Sequence, residues 1–416
     1  MRIRRAGGSS LVLSVWVAAA SCAWANAANE AANAAEQASP SPPAVNAADA
    51  PVAGAGNWHV REVDGVEYLP LEDLRSFYKL MSLQPKGRRV AGQRIVGNGE
   101  LELRFGPEPR ELRIQNMLFM LTHPVQEDAS GDLLVSRLDV LNVIEPVLRP
   151  TYIANRSALR TVVIDPGHGG HDVGTVSPFA READVTLLVA KKLGAELTKR
   201  GYEVSYTQDQ NQYLSPQARV DKANAAPAAI LLSLHLNSGR SDMKGIQTYT
   251  IAPADKGDKI LPGHPYVPAS TALAMAVQSS LVQQTEAEDG GCRRSRFSPL
   301  NSVTCPAVTV EMGFATHPEE GARLSSDEYQ MKLADALADG VDAFARVMNP
   351  ATVLQVQKAP EVEPPAEPVK VTPAPAKKEV TPRPARQKTA PKRARRAKAP
   401  VRRAKPVKRS NKRRRR

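Results

Sequence analysis

Short apolar runs alternate with amphipathic stretches through the middle of the chain. Thr161-Val162-Val163-Ile164, Ile230-Leu231-Leu232 and Ala307-Val308-Thr309-Val310 are β-branched or aliphatic throughout and too short for helices. Continuous runs of this kind mark strands buried on both faces. The pattern predicts strands over 161–165, 203–207, 229–235, 245–251 and 306–312. Between them, Val185, Leu188, Val189, Leu193 and Leu197 recur at helical spacing after Glu182, which gives a helix one apolar face. Ser215-Pro216 supplies an N-cap and a proline at the first helical position, and Ser325-Ser326-Asp327-Glu328 a capping box ahead of Tyr329, Leu333, Leu337, Val341 and Phe344. Alternating strands and helices predict an α/β domain over 158–348, a three-layer, mainly parallel sheet with helices on both faces. Its least regular stretch, Ser238 to Gly291, reads as a Pro/Gly-marked loop and one helix from Ser270 to Gln284.

Residues 57–155 read as a small, mostly β domain. Two similar stretches bracket it, Leu69-Pro70-Leu71-Glu72-Asp73-Leu74 and Val135-Ser136-Arg137-Leu138-Asp139-Val140, each a strand-like start leading into a helix-like pattern. Ahead of it, residues 28–56 are an Ala/Asn/Pro/Ser linker. Residues 1–27 carry early arginines, an apolar core over Leu11–Ala20 and small-x-small cleavage sites around Ala25, which is the pattern of a secretory signal peptide. That core is too short for a transmembrane span, and no other segment offers one.

Charge divides the chain. Residues 351–416 hold 22 Lys and Arg against four Glu, a net +18, which leaves −5 for the rest of a chain whose total is +13. This Pro/Ala/Lys/Arg tail has almost no large apolar residues and is expected to be disordered. Such a block binds polyanions by counterion release. After export, anionic envelope polymers rather than nucleic acid are the partners it meets. Export also permits a disulfide between Cys292 and Cys305, with two separate thiols as the alternative.

Candidate chemistry gathers where predicted strands end. His168 lies in Asp165-Pro166-Gly167-His168-Gly169-Gly170, His235 in Ser233-Leu234-His235-Leu236-Asn237, Glu311 in Val310-Glu311-Met312-Gly313-Phe314, and Glu182 opens a helix. A parallel sheet brings such residues to one edge. Two His, a ligating carboxylate and an open position suit a catalytic zinc, and a further carboxylate suits the general base for water. His264, in the loop, reads either as an extra ligand or acid/base or as an exposed loop histidine.

These four segments resemble the zinc-dependent N-acetylmuramoyl-L-alanine amidases, bacterial cell-wall enzymes, over about 160–348. The resemblance implies Zn2+ held by His168, Glu182 and His235, with Glu311 as the catalytic carboxylate. It implies cleavage of the amide between N-acetylmuramic acid and L-alanine in peptidoglycan, for wall remodelling or daughter-cell separation, by a protein secreted to the periplasm or cell envelope. Two positions depart from the family's usual residues: Gln208 after Thr207, where Arg is common, and His317, where Asn is common. Residues 57–155 resemble the module named for the copper amine oxidase N-terminus, a stalk-like unit that would position the enzyme. The rival reading is a non-catalytic cell-wall-binding protein with a basic adhesive tail. Such a protein is expected to have lost at least one of His168, Glu182, His235 and Glu311, and all four stand.

Overall fold

The computed structural model describes residues 58–82, 94–98, 101–106, 108–154, 156–226 and 229–349. The export signal, the linker and the basic tail read from the sequence lie outside these residues.

The N-terminal part is built of short strands. β1 (Arg61–Val63) and β2 (Val66–Pro70) form a hairpin, and β2 runs into helix α1 (Leu71–Phe77). β3 (Met81–Ser82), β4 (Arg94–Gly97), β5 (Glu102–Phe105), β6 (Glu111–Ile114) and β7 (Met117–Met120) make an antiparallel meander. β8 (Gln126–Glu127) and β9 (Leu133–Ser136) join the first hairpin in a small sheet ordered β1-β2-β9-β8. The two similar sequence stretches therefore meet. β2 and β9 pair antiparallel, with Leu69 opposite Val135. After β9 the chain enters a helical run over Arg137–Asp139, Val140–Ile144 and Glu145–Leu148, capped by Ser136.

The α/β part follows in the order β10 (Thr161–Pro166), α2 (Glu182–Lys199), β11 (Glu203–Tyr206), α3 (Pro216–Asn224), β12 (Ala229–Asn237), β13 (Ile246–Ile251), α4 (Val267–Thr285), β14 (Asp289–Ser295), β15 (Ala307–Phe314), α5 (Pro318–Leu324) and α6 (Asp327–Met348). Neighbours β11, β10, β12 and β15 run parallel; β13 joins β15 antiparallel, and β14 runs parallel to β13. The sheet is thus mixed and mainly parallel. Helices α2, α4 and α6 cover one face, packed on Ile164, Leu232 and Val310. The other face is covered by α3, through Val220 and Ala223, and by loops through Leu300 and Val303. The caps fall where the sequence puts them: Ser215 Oγ accepts from Ala218 N, and Ser326 Oγ from Tyr329 N.

Three expectations need correction. β14 lies at the end of the stretch read as loop and helix, because Asp289-Gly290-Gly291-Cys292-Arg293-Arg294-Ser295 has no apolar alternation to announce a strand. Leu188, expected on the buried stripe of α2, is 47% exposed, since the stripe of Val185, Val189, Leu193 and Leu197 already fills the sheet side. Cys292 and Cys305 are free thiols in two different core clusters, and burial pushes both upward, Cys305 to about 12. Among the described residues, no helix is long and apolar enough to cross a membrane.

The two parts share one sheet. β7 pairs with β14, so a single eleven-stranded sheet runs from β11 to β3. Asp289 is the joint: its Oδ2 accepts from Leu118 N at 2.8 Å, and its Oδ1 from Gln278 Nε2 at 2.9 Å and Gly291 N at 3.0 Å. Gly291 sits at φ +90°, and a Cβ there would lie 2.9 Å from Leu118 Cγ, so glycine is what lets β7 approach. The main core cluster also crosses the boundary, from Leu69 and Phe119 to Ile164 and Phe344. Residues 58–349 are expected to unfold in a single transition. Asp289→Ala should lower that stability by about 1–3 kcal/mol, the cost of leaving buried donors unpaired. Separate melting of the two parts in calorimetry would contradict a shared core.

Candidate metal centre and its support

The site forms at the carboxyl ends of β10, β12 and β15. Register sets it: Asp165 lies opposite Ser233, and His235 opposite Glu311. β10 stops two residues before His168, and α2 begins at Glu182. Glu182 is buried, and its Oε1 lies 3.1 Å from His168 Nε2 and 3.0 Å from His235 Nδ1. One ligand atom from each of His168, Glu182 and His235 falls within 4.8 Å of the others, a group able to hold a metal ion. The two imidazoles stand edge to face, with centroids 5.1 Å apart. Gly167 makes that approach possible, because a Cβ there would sit 2.5 Å from His235 Cε1.

Hydrogen bonds fix the carboxylate. Glu182 Oε2 accepts from Thr175 N at 2.9 Å, and Oε1 from Leu236 N at 3.0 Å. Burial opposes its ionisation, but the contacts with His168 and His235 prevail and hold its carboxyl well below the usual range. The hydrogen bond to Glu182 raises His168 to about 9, against the effect of burial. Asp172 Oδ1 lies 2.9 Å from His168 Nδ1, the kind of outer partner that orients a ligating imidazole.

His168 has φ +63°, a left-handed conformation that costs a non-glycine residue on the order of 1 kcal/mol or more. A clamp beneath the loop sustains it. Arg219 of α3 donates to Asp165 Oδ1 at 2.7 Å, Pro166 O at 2.6 Å and His168 O at 2.5 Å. Gln208 Nε2 donates to Pro166 O at 3.1 Å and His168 O at 2.6 Å. Thr207 and Ser233 hydroxyls satisfy the buried Asp165 carboxylate at 2.5 and 2.7 Å. Gln208 thus holds the metal loop by its carbonyls. His317 also has a clear local role, capping α5 by accepting from Glu320 N.

Glu311 stands one strand from His235 and outside the convergent group. Its Oε2 is buried with no hydrogen-bond partner among the described residues. Burial lifts its carboxyl to about 7. A group poised near neutrality and unpaired is suited to moving a proton.

The structure brings His168, Glu182 and His235 together and places Glu311, the fourth residue singled out in the sequence, opposite His235 on the neighbouring strand. His264 is not with them. It is buried at the start of a 3-10 turn, and its Nδ1 accepts from Leu261 N, so it is neither an exposed loop residue nor part of the metal group. Arg219, Gln208 and Asp172 were missed as supports. Arg219 gave no signal, lying in an ordinary helix, whereas Asp172 stands within the His168 motif.

Three converging donors able to hold a metal ion, with a carboxylate on the adjoining strand whose Oε2 has no partner among the described residues, form an arrangement that suits metal-assisted hydrolysis. Comparison gives the family. The model of the N-acetylmuramoyl-L-alanine amidases matches residues 162–343. YqiI of Bacillus subtilis is 33% identical over 185 residues, 44% of this chain and 84% of that protein. The amidase LytC of the same organism is 29% identical over 45% of this chain, which spans 36% of LytC. A crystal structure of an N-acetylmuramoyl-L-alanine amidase from Clostridium difficile 630 is 34% identical, covering 45% of this chain and 97% of that one, with a TM-score of 0.40. The chain belongs to the N-acetylmuramoyl-L-alanine amidase family. The family's reaction is the hydrolysis of an amide in peptidoglycan.

The raised Glu311 carboxyl has a consequence for stability. It titrates near 4.5 unfolded and about 7 folded, so the unfolded chain releases the proton first. Glu311 thus makes the metal-free fold less stable as pH rises from about 4.5 to 7, with no further loss above that. Glu311→Gln should melt several degrees higher than the parent at pH 8 after metal removal, and no higher at pH 4. An equal difference at both pH values would refute the shift.

Proposed function

We propose that this protein is a zinc-dependent hydrolase of the amide between the lactyl group of N-acetylmuramic acid and the L-alanine of the stem peptide. His168, Glu182 and His235 would hold the ion, and Glu311 would be the general base. The observation that carries the reading is the convergence of three N and O donors within 4.8 Å, with a carboxylate on the adjoining strand whose buried Oε2 has no partner among the described residues. Two imidazoles and a carboxylate are a donor set that suits zinc. When bound, the ion supplies Lewis acidity, polarising the amide carbonyl and making water a stronger acid. Glu311 takes the proton from the attacking water and passes it to the departing nitrogen. Asp172 keeps the His168 ring turned so that Nε2 faces the centre. The Arg219 and Gln208 clamp fixes the loop, so the site does not have to order itself around the ion.

Residues 1–27 would direct export, and residues 57–155 would serve to position the α/β domain at 158–348. The tail at 351–416, with its net +18, would hold the enzyme on anionic envelope polymers.

Chelation should abolish peptidoglycan hydrolysis, and zinc should restore it. Glu182→Ala should lose metal and activity together. Glu311→Ala should retain metal by mass spectrometry yet lose turnover by on the order of 10²-fold. A Glu311→Ala enzyme that also loses metal would reverse the assignment of roles.

For the tail, a chain ending at residue 349 should sediment less with intact cell walls at low salt, while cleaving soluble muropeptides at the parent rate. A scrambled tail should behave like the parent, because summed charge sets the binding. Wall binding that is equal and salt-insensitive in all three proteins would remove the tail from the account.

A further inference from the structure

The face of the sheet that carries Glu311 continues onto the antiparallel half. Gln247 of β13 pairs with Glu311, and Tyr249, two residues on, shares its face. Arg293 of β14 pairs with Tyr249. Tyr249 Oη donates to Gln247 Oε1 at 2.8 Å, which also accepts from Asn237 Nδ2 at 2.9 Å. This chain links the strand end behind His235 to the Tyr249–Arg293 pair. Phe297 leans on the Tyr249 ring, with centroids 5.2 Å apart, and remains 43% exposed. Thr309, opposite Tyr249 on β15, has a buried Oγ1 without a hydrogen-bond partner among the described residues.

Arg293 itself is half-buried. Its Nε donates to Gly290 O at 2.8 Å, and among the described residues it makes no ion pair. Its neighbours differ. Arg294 bonds Thr250 Oγ1 and Asn142 O in the interior, and Arg296 pairs with Asp258. Arg293 therefore offers an uncommitted guanidinium beside the catalytic face. Two strand spacings and two residues put its Cα roughly 12 Å from that of Glu311. An extended arginine covers about half of this, and one extended peptide residue spans about 3.5 Å. The guanidinium thus stands one to two peptide residues from the proton-moving carboxyl.

We infer that Arg293, beside Tyr249, binds a free carboxylate of the stem peptide about one residue beyond the scissile amide. This rests on the amidase reading above. The chemistry points to a carboxylate. Peptidoglycan stem peptides carry, next to the alanine, a glutamate joined through its side chain, which leaves its α-carboxyl free. Glu311, when ionised, would repel such a group, and a half-buried guanidinium offsets it. A guanidinium matches a carboxylate in a fork of two hydrogen bonds.

The test uses the full chain and two soluble substrates, N-acetylmuramoyl-L-alanyl-isoglutamate and its α-carboxamide counterpart. The parent should prefer the acid in kcat/KM by about tenfold or more, the worth of a charge-assisted hydrogen bond. Arg293→Gln should abolish the preference, raising KM for the acid and leaving kcat, metal content and amide cleavage unchanged. Arg293→Lys should keep part of it, and this variant decides the matter if the glutamine protein folds poorly. Equal losses on both substrates, or a parent that treats them alike, would overturn the inference while leaving the amidase reading intact. Failure of the parent to cleave either substrate or polymeric peptidoglycan would overturn both.

Discussion

The buried pairing of Arg219 with Asp165 governs the site. Asp165 ends its strand 1% exposed, with Arg219 Nη1 2.7 Å away and two hydroxyls completing its acceptors. Breaking a buried pair by removing one partner typically costs about 3–5 kcal/mol. Here the cost would be local as well as global, because the same guanidinium holds the carbonyls of Pro166 and His168. Those contacts brace the backbone around the left-handed His168. The geometry of the metal group is thus set from beneath, by groups that never face the substrate.

The second constraint is the shared sheet. A stalk joined by a flexible link would leave β14 as an exposed edge. Instead β7 covers that edge, and Asp289 stitches the two together. Because β14 carries Arg293, the N-terminal part fixes the far side of the catalytic face as well as extending the molecule. The register of β14 against β13 sets where Arg293 stands relative to Glu311.

The change from parallel to antiparallel pairing at β13 divides the labour. The parallel strands β10, β12 and β15 bring His168, His235 and Glu311 to one side of the sheet, and α2 adds Glu182. β13 and β14 run the other way and present Gln247, Tyr249 and Arg293 on the same face, away from the loops. One half is built for chemistry; the other offers a polar and aromatic surface beside it. Helix cover is thinner on this face, with α3 and loops in place of three long helices, and that leaves His168 and His235 each a quarter exposed.

The sequence by itself determined the α/β class and the central strands, and it singled out the three residues that converge, His168, Glu182 and His235, with Glu311 one strand away. Local physics suffices for these: buried strands need apolar runs, caps need Ser and Pro, and His168, Glu182, His235 and Glu311 sit at element ends that any parallel sheet gathers. Tertiary structure alone decided the rest. Asp289-Gly290-Gly291-Cys292 has no pattern of its own and becomes strand because two neighbouring strands supply its hydrogen bonds. Arg219 reads as an ordinary helical residue until α3 packs and turns it towards Asp165. Buried histidine and loop histidine look alike in a sequence, so His264 could not be placed there. Glu311 acquires its carboxyl near 7 from burial, which is a property of its surroundings and not of its neighbours in the chain.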